Sequence, residues 1–203
     1  MILQKLNEHL FGTLEEARLE ALHTIAEKSL ARIRQGGDLI ALSPPGSGKT
    51  WALALSSILK APDSYEGSPR VIIVCATVDK TRELHELLRK WVRKTEISIE
   101  IAHENASIVS QRNNIFDGAD ILISTPGRLF DLYIQNGINL GKITLFAVDD
   151  AAQVTKDTNV MRKVARITES LPKCQRFLFS DVLTPNIEKL AETALQNPML
   201  LEM

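Results

Sequence analysis

The stretch 36-GGDLIALSPPGSGKT-50 decides how this chain is read. A short apolar run, 38-DLIALS-43, enters a loop of Pro, Gly and Ser, and 49-KTWALALSSILK-60 continues as an apolar helix-forming segment. Strand, glycine-rich loop and helix in that order make an anion site, because small residues let backbone N–H groups converge on phosphate oxygens at a helix N-terminus. Gly46 and Gly48 supply the turn, Lys49 a charge for the outer phosphates, and Thr50 a hydroxyl for Mg²⁺; Pro45 and Ser47 complete the candidate cofactor-binding loop. The strict phosphate-loop pattern opens on glycine where this chain has Ser43. The competing reading is a glycine turn that happens to precede a helix.

Outward from this loop, short apolar runs alternate with amphipathic segments. Helical spacing over Leu14 to Gln35 ends at 36-GG-37, and 61-APDSYEGSPR-70 reads as a loop. Strands are expected at 71-VIIVCA-76, 97-ISIEIA-102, 120-DILIST-125, 143-ITLFAVD-149 and 175-QRFLFS-180. Helices are expected near 79–94, 106–116, from 127, and near 159–170 and 185–195, while 198-PMLLEM-203 carries no assignment. This alternation predicts one doubly wound α/β domain, its mainly parallel sheet covered by helices on both faces. The length of 203 residues suits a single buried core, and no repeat or interdomain linker interrupts it.

Composition narrows the partners. With a net charge of −1, binding to nucleic acid requires a local basic face. The apolar runs are strand-length, so no membrane association is expected, and MILQKLNEHL lacks the pattern of a secretory signal. Cys75 and Cys174 sit in or beside apolar strands and read as reduced residues of a cytoplasmic protein. The histidines are scattered without metal-ligand spacing, and no nucleophile elbow occurs. Arg89, Lys90, Arg93 and Lys94 form a basic cluster that suits either phosphates or a solvated helix face. Trp51 and Trp91 are expected to pack in the protein.

A phosphate site also needs an acid at the end of a neighbouring strand to hold Mg²⁺. Asp149 and Asp150 in 144-TLFAVDDAA-152 have that position. A helix N-cap followed by a first-turn acid is the other reading of the pair.

Three stretches together resemble the first RecA-like domain of the DEAD-box RNA helicases over about residues 12–203, after an N-terminal extension of 1–13. They are 36-GGDLIALSPPGSGKT-50, 119-ADILISTPGRLFDL-132 and 145-LFAVDDAAQV-154. The resemblance implies ATP and Mg²⁺ as cofactors, with Thr50 and Asp149 on the metal and Asp150 in the catalytic place of the glutamate that orients the attacking water. It also implies RNA as a partner, with Thr77, Thr125, Pro126, Gly127 and Arg128 as candidate backbone contacts. Arg128 read by itself is equally a surface arginine at a helix start.

The departures shape the functional expectation. The family glutamine that reads adenine falls at Ala26, which lacks the required amide. Within 76-AT-77 and 78-VDK-80 the threonine is kept and the family arginine becomes Val78; 81-TREL-84 lies a turn too late to match. A glycine doublet is missing from 101-IAHENASIVSQ-111. D-E-A-D becomes 149-DDAA-152, and S-A-T becomes 180-SDV-182. Asp150 is shorter than glutamate by one carbon–carbon bond, about 1.5 Å, and a misplacement of that order can cost about a hundredfold in rate. The end of the chain resembles the end of the first helicase domain, and the second domain is expected to be absent. The expected function is therefore Mg-nucleotide binding, with RNA binding, weak or no hydrolysis and no unwinding by the isolated domain. The alternatives are a non-catalytic interaction scaffold and an ATPase half completed by a partner chain, such as a second helicase domain in trans.

Overall fold

The structure, a computed structural model, describes residues 23–61 and 68–203. The extension 1–13, the first part of the helix expected from Leu14 and most of the 61–70 loop lie outside the described residues. In chain order the elements are α1 (His23–Gln35), β1 (Leu39–Leu42), α2 (Lys49–Lys60), β2 (Val71–Cys75), α3 (Val78–Val92), β3 (Ile99–Ala102), α4 (Ile108–Gly118) and β4 (Ile121–Ser124). They continue with α5 (Pro126–Ile134), β5 (Leu145–Asp149), α6 (Ala151–Val154), α7 (Thr158–Glu169), β6 (Gln175–Ser180), α8 (Pro185–Ala194) and β7 (Met199–Glu202).

The strands form one seven-stranded sheet in the order β3-β4-β2-β5-β6-β1-β7. Every pairing is parallel, so the sheet is wholly and not merely mainly parallel. A sheet covered on both faces requires strands apolar on both sides. Accordingly β1, β2, β4, β5 and β6 are buried at every residue.

The two-residue period of a strand divides these side chains between two cores. Ile73, Ala147, Phe177 and Phe179 pack with Ile25, Leu53, Leu84 and Leu88 of α1, α2 and α3. Ile72, Val74, Phe146, Val148 and Leu178 face the other way, against Ile115, Leu129, Leu132, Val164, Ile167, Ile187 and Leu190 of α4, α5, α7 and α8. Trp51 and Trp91 meet between α2 and α3, ring centroids 4.6 Å apart. Cys75 and Cys174 are free, and burial raises both thiols, Cys174 to about 11.

Two elements escape the expected pattern. The run 198–203 contributes β7, which pairs with β1 from Leu39↔Met199 to Leu42↔Glu202 and closes one edge. Helix α6, only four residues, follows β5 directly. Strand β7 buries only Leu201, so no fully buried apolar run marks it, and α6 is too short to show a helical period.

At the N-terminal edge of the sheet, Asp38 ties β1 to both neighbours. Its carboxylate accepts from the Arg176 N–H at 2.8 Å and the Gln196 N–H at 2.6 Å, while its carbonyl accepts from the Met199 N–H at 3.0 Å. The side chain is buried, so its loss leaves two amide donors without partners. Asp38→Ala is expected to lower unfolding stability by roughly 2–4 kcal/mol, with Asp38→Asn losing less, as read by urea denaturation. An alanine variant as stable as the parent contradicts this account of the edge.

Candidate functional site

Parallel α/β sheets present their ligand sites beyond the carboxyl ends of the strands, where the connections reverse direction. Here that edge has two halves. Strand β6 lies between β1 and β5, so the loop after β1 and the acids after β5 flank the turn that follows β6. The ends of β3, β4 and β2 form the other half.

In the first half, Gly46 and Gly48 adopt φ of +78° and +91°, conformations open to glycine at little cost. Gly48 is the N-cap of α2, and Lys49 and Thr50 begin that helix. Pro45 and Gly46 are exposed and Ser47 is half-buried. Ser43, standing where the strict pattern has glycine, meets the Ser47 hydroxyl across the loop, and its N–H donates to the Ser180 carbonyl of β6 at 3.0 Å. The Lys49 ammonium turns back into the loop. It donates to the carbonyls of Ser43 and, at 2.8 Å, Pro44, and forms an ion pair with Asp181 at 2.6 Å.

Asp149 ends β5, buried at 8% exposure. Burial pushes its carboxyl up from 3.8 to about 6, and the charge of Asp150 adds to the rise. The Asp150 N–H, Lys80 and Lys49 pull in the other direction, so Lys49 and Asp149 share one electrostatic environment. Asp150 caps α6 in the left-handed region, φ +52° and ψ +57°, without a side-chain cap hydrogen bond. That conformation is uncommon for a residue other than glycine and occurs at functional turns. Thr50, at the start of α2, has an exposed hydroxyl-bearing side chain.

These donors fit Mg²⁺. A hydroxyl and a carboxylate are hard oxygen ligands, and Mg²⁺ habitually keeps waters and phosphate oxygens for its remaining positions. Two adjacent acids, one desolvated and reluctant to ionise, form a site whose charge a dication relieves. Among the described residues no cluster of three or more His, Cys, Asp or Glu offers an all-protein metal cage.

In the second half, Thr77 is the exposed N-cap of α3, accepting from the Lys80 N–H at 3.2 Å. The turn 125–128 is occupied differently. Thr125 caps α5 by position, but no side-chain cap bond forms. Its hydroxyl instead donates to the Glu104 carboxylate at 2.8 Å. Pro126 is the first residue of α5 and is buried. A Cβ on Gly127 would lie 2.5 Å from a Glu104 oxygen, so the carboxylate covers this turn.

Arg128 is buried rather than a surface residue at a helix start. Its guanidinium donates to the Ala106 carbonyl at 3.1 Å, the Gln111 side-chain oxygen at 2.8 Å and the Glu104 carbonyl at 3.4 Å. It thereby braces the 104–106 loop that carries Glu104. Gln111 completes the brace by donating to the His103 carbonyl at 3.0 Å.

The altered positions have structural counterparts. Ala26 is part of the apolar core. Ser180 donates to the Val182 carbonyl within its own turn at 2.8 Å, and Ala152 packs against the second core. Asp181 and Glu104 are the functional candidates that the motif search passed over. Both stand inside stretches recognised as departures, S-D-V and the missing glycine doublet. The signal was an acid inside each altered stretch, Asp181 standing at the alanine of S-A-T.

Comparison with known proteins bears on the family and the fold. The DEAD/DEAH box helicase family model matches residues 23–190. The maize protein named DEAD-box ATP-dependent RNA helicase 3B, chloroplastic, is 27% identical over 98% of this chain and 27% of its own length. The ATP-dependent RNA helicase RhlB of Pseudoalteromonas atlantica is 26% identical over 95% of this chain and 47% of its own length. The chain thus spans between about a quarter and a half of these relatives. Among solved structures, a hypothetical ATP-dependent RNA helicase from Sulfolobus tokodaii superposes with a TM-score of 0.84 at 22% identity, over 97% of this chain and 57% of that one. Prp28 from Chaetomium thermophilum, solved with ADP, gives 0.84 at 21% identity, over 97% and 48%. These establish a RecA-like helicase fold.

The state of Asp149 yields a pH prediction. Its folded value lies above its unfolded one, so the native state binds the extra proton and stability falls as pH rises from 3.8 to about 6. In the absence of metal and nucleotide, Asp149→Asn is expected to be more stable than the parent at about pH 8, on the order of 1–3 kcal/mol. The advantage should shrink as the pH is lowered toward 5. Equal stability of the two proteins in alkaline buffer contradicts this.

Proposed function

The chain belongs to the DEAD/DEAH box helicase family, and we propose that it acts as a Mg-nucleotide-binding domain of that family, with ATP the foremost ligand. Its RNA affinity is weak, and by itself it hydrolyses ATP feebly or not at all and does not unwind duplexes. The observation that carries this reading is the glycine-shaped loop at the N-terminus of α2, with Lys49 and the strand-end acid Asp149 in one electrostatic environment.

In this reading the N–H groups of residues 46–50 surround the phosphate chain, and helix α2 points its positive end at it. Lys49 leaves its loop carbonyls for the outer phosphates. Thr50 and Asp149 would hold Mg²⁺, which would supply neutralisation of the phosphate charge. Asp150 is the residue placed to orient a water, but it is one bond shorter than glutamate and turned by its left-handed backbone.

Hydrolysis at rates typical of the family also needs a cation opposite the γ-phosphate, worth roughly 10³–10⁵ in rate. A cation supplied by another polypeptide would make this chain half of a composite ATPase. Ala26 offers no amide to adenine, which supports loose selectivity for the base.

Calorimetric titration with Mg-ATP, Mg-ADP and Mg-GTP tests the proposal. Binding by the parent and its loss in Lys49→Ala are expected, with GTP within about tenfold of ATP, because no amide hydrogen bond distinguishes the bases. No binding by the parent at millimolar nucleotide rejects the reading in favour of a scaffold. For RNA, Glu104 holds a negative charge on the turn that would face phosphates. Glu104→Gln is expected to tighten single-stranded RNA binding about three- to tenfold at low salt, with a smaller gain at high salt. Measurable parent binding that Glu104→Gln leaves unchanged in fluorescence anisotropy contradicts that role.

A further inference from the structure

The Lys49 ammonium has three donors, and three acceptors surround it: the Ser43 carbonyl, the Pro44 carbonyl and a carboxylate oxygen of Asp181. Two of these belong to the loop itself. Asp181 comes from a different strand, at the point where β6 emerges between β1 and β5. Its turn is anchored on both sides, by the Ser43 N–H on the Ser180 carbonyl at 3.0 Å and the Ser180 hydroxyl on the Val182 carbonyl at 2.8 Å. The carboxylate therefore stands at a defined position, and the structure makes it a stand-in for a phosphate oxygen on Lys49.

We propose that Asp181 is a specificity-determining residue of the nucleotide site, making it favour a nucleoside diphosphate over the triphosphate. The proposal rests on the nucleotide-binding reading above and adds which phosphate chain the site prefers. A phosphate oxygen replacing a carbonyl on Lys49 would lie about 2.8 Å from the ammonium. Asp181 lies 2.6 Å from the same nitrogen, so the two anions can be no farther apart than the sum of those lengths while both stay bound.

Either nucleotide must compete with Asp181 for Lys49, but the triphosphate meets a further repulsion. In the nucleotide reading its terminal group would be drawn from the loop after β1 toward Asp149 after β5, and β6, whose turn carries Asp181, lies between those two strands. The additional negative charge is thus brought beside a carboxylate that the fold keeps in place. Lys49 is 11% exposed in its side chain and Asp181 44%. Solvent therefore screens the repulsion only in part, and the effect should be graded and sensitive to salt.

The test is calorimetric titration of Mg-ADP and Mg-ATP into the 203-residue chain, Asp181→Asn, Asp181→Ala and Lys49→Ala at low and high ionic strength. The parent is expected to bind Mg-ADP more tightly than Mg-ATP, the difference narrowing as salt is raised. Both Asp181 variants should gain about tenfold for Mg-ATP and no more than about threefold for Mg-ADP, reflecting one like-charge contact in a partly solvated site. Circular dichroism melting identifies any variant that fails to fold. Asp181 carries no main-chain-supporting hydrogen bond in the described structure, so at least the isosteric Asn variant is expected to remain folded. Nucleotide binding with no change in either variant overturns the proposal. So does weaker Mg-ATP binding, which would mean that Asp181 assists the metal or phosphate. Loss of all binding in the parent overturns the nucleotide reading together with this one, and is thereby distinguished from failure of the proposal alone.

Discussion

The chemistry of this domain depends on β6 lying between β1 and β5 in a wholly parallel sheet. Parallel register brings every carboxyl end to the same edge. The order of the strands then makes the glycine loop, the Asp181 turn and the Asp149–Asp150 pair consecutive features along it. Burial of β1, β5 and β6 on both faces fixes their heights relative to one another. Asp38 secures the opposite edge by binding amides on both sides of β1. The site is therefore assembled by packing far from it, while its own side chains are left free to serve charge.

At that edge the protein places acids of its own beside groups suited to phosphates. Asp181 occupies Lys49, and Glu104 occupies Thr125 and covers Gly127. The two arrangements differ in consequence. The Lys49 ion pair has an exposed partner in Asp181, so under the proposed function a nucleotide with several charges would compete with it. Glu104 sits on a loop held by the buried Arg128, through two of that loop's carbonyls and the Gln111 amide oxygen. The arginine that suggested a phosphate contact is thereby committed to holding the carboxylate that would repel one.

Much of this was legible in the sequence because periodicity and turn chemistry are local. Continuous apolar runs such as 71-VIIVCA-76 and the ILI within 120-DILIST-125 predicted a sheet buried on both faces, and GSGKT predicted the loop and the start of α2. Strand β7 buries only Leu201 of its four residues, and helix α6 has four residues, too few for a helical period. Asp181 and Glu104 were hidden for another reason. Their partners are distant in sequence, Lys49 and Thr125, and only the strand order brings them together. Likewise the burial of Arg128 follows from a loop that lies 22 positions away along the chain. Altered motifs showed where the sequence departs from the family pattern, but which charge faces which required the strand order.

Under the proposed function, nucleotide binding persists without strong coupling to RNA. Both the D-E-A-D and the S-A-T stretches are altered in this chain, and Ser180 bonds within its own turn. The most direct test is the affinity for Mg-ATP with and without an RNA concentration at which binding is itself measurable. Linkage requires that any coupling appear as a ratio of the two constants. The account predicts a ratio close to one; a tightening of about tenfold or more, equivalent to roughly 1.4 kcal/mol of coupling, would contradict it.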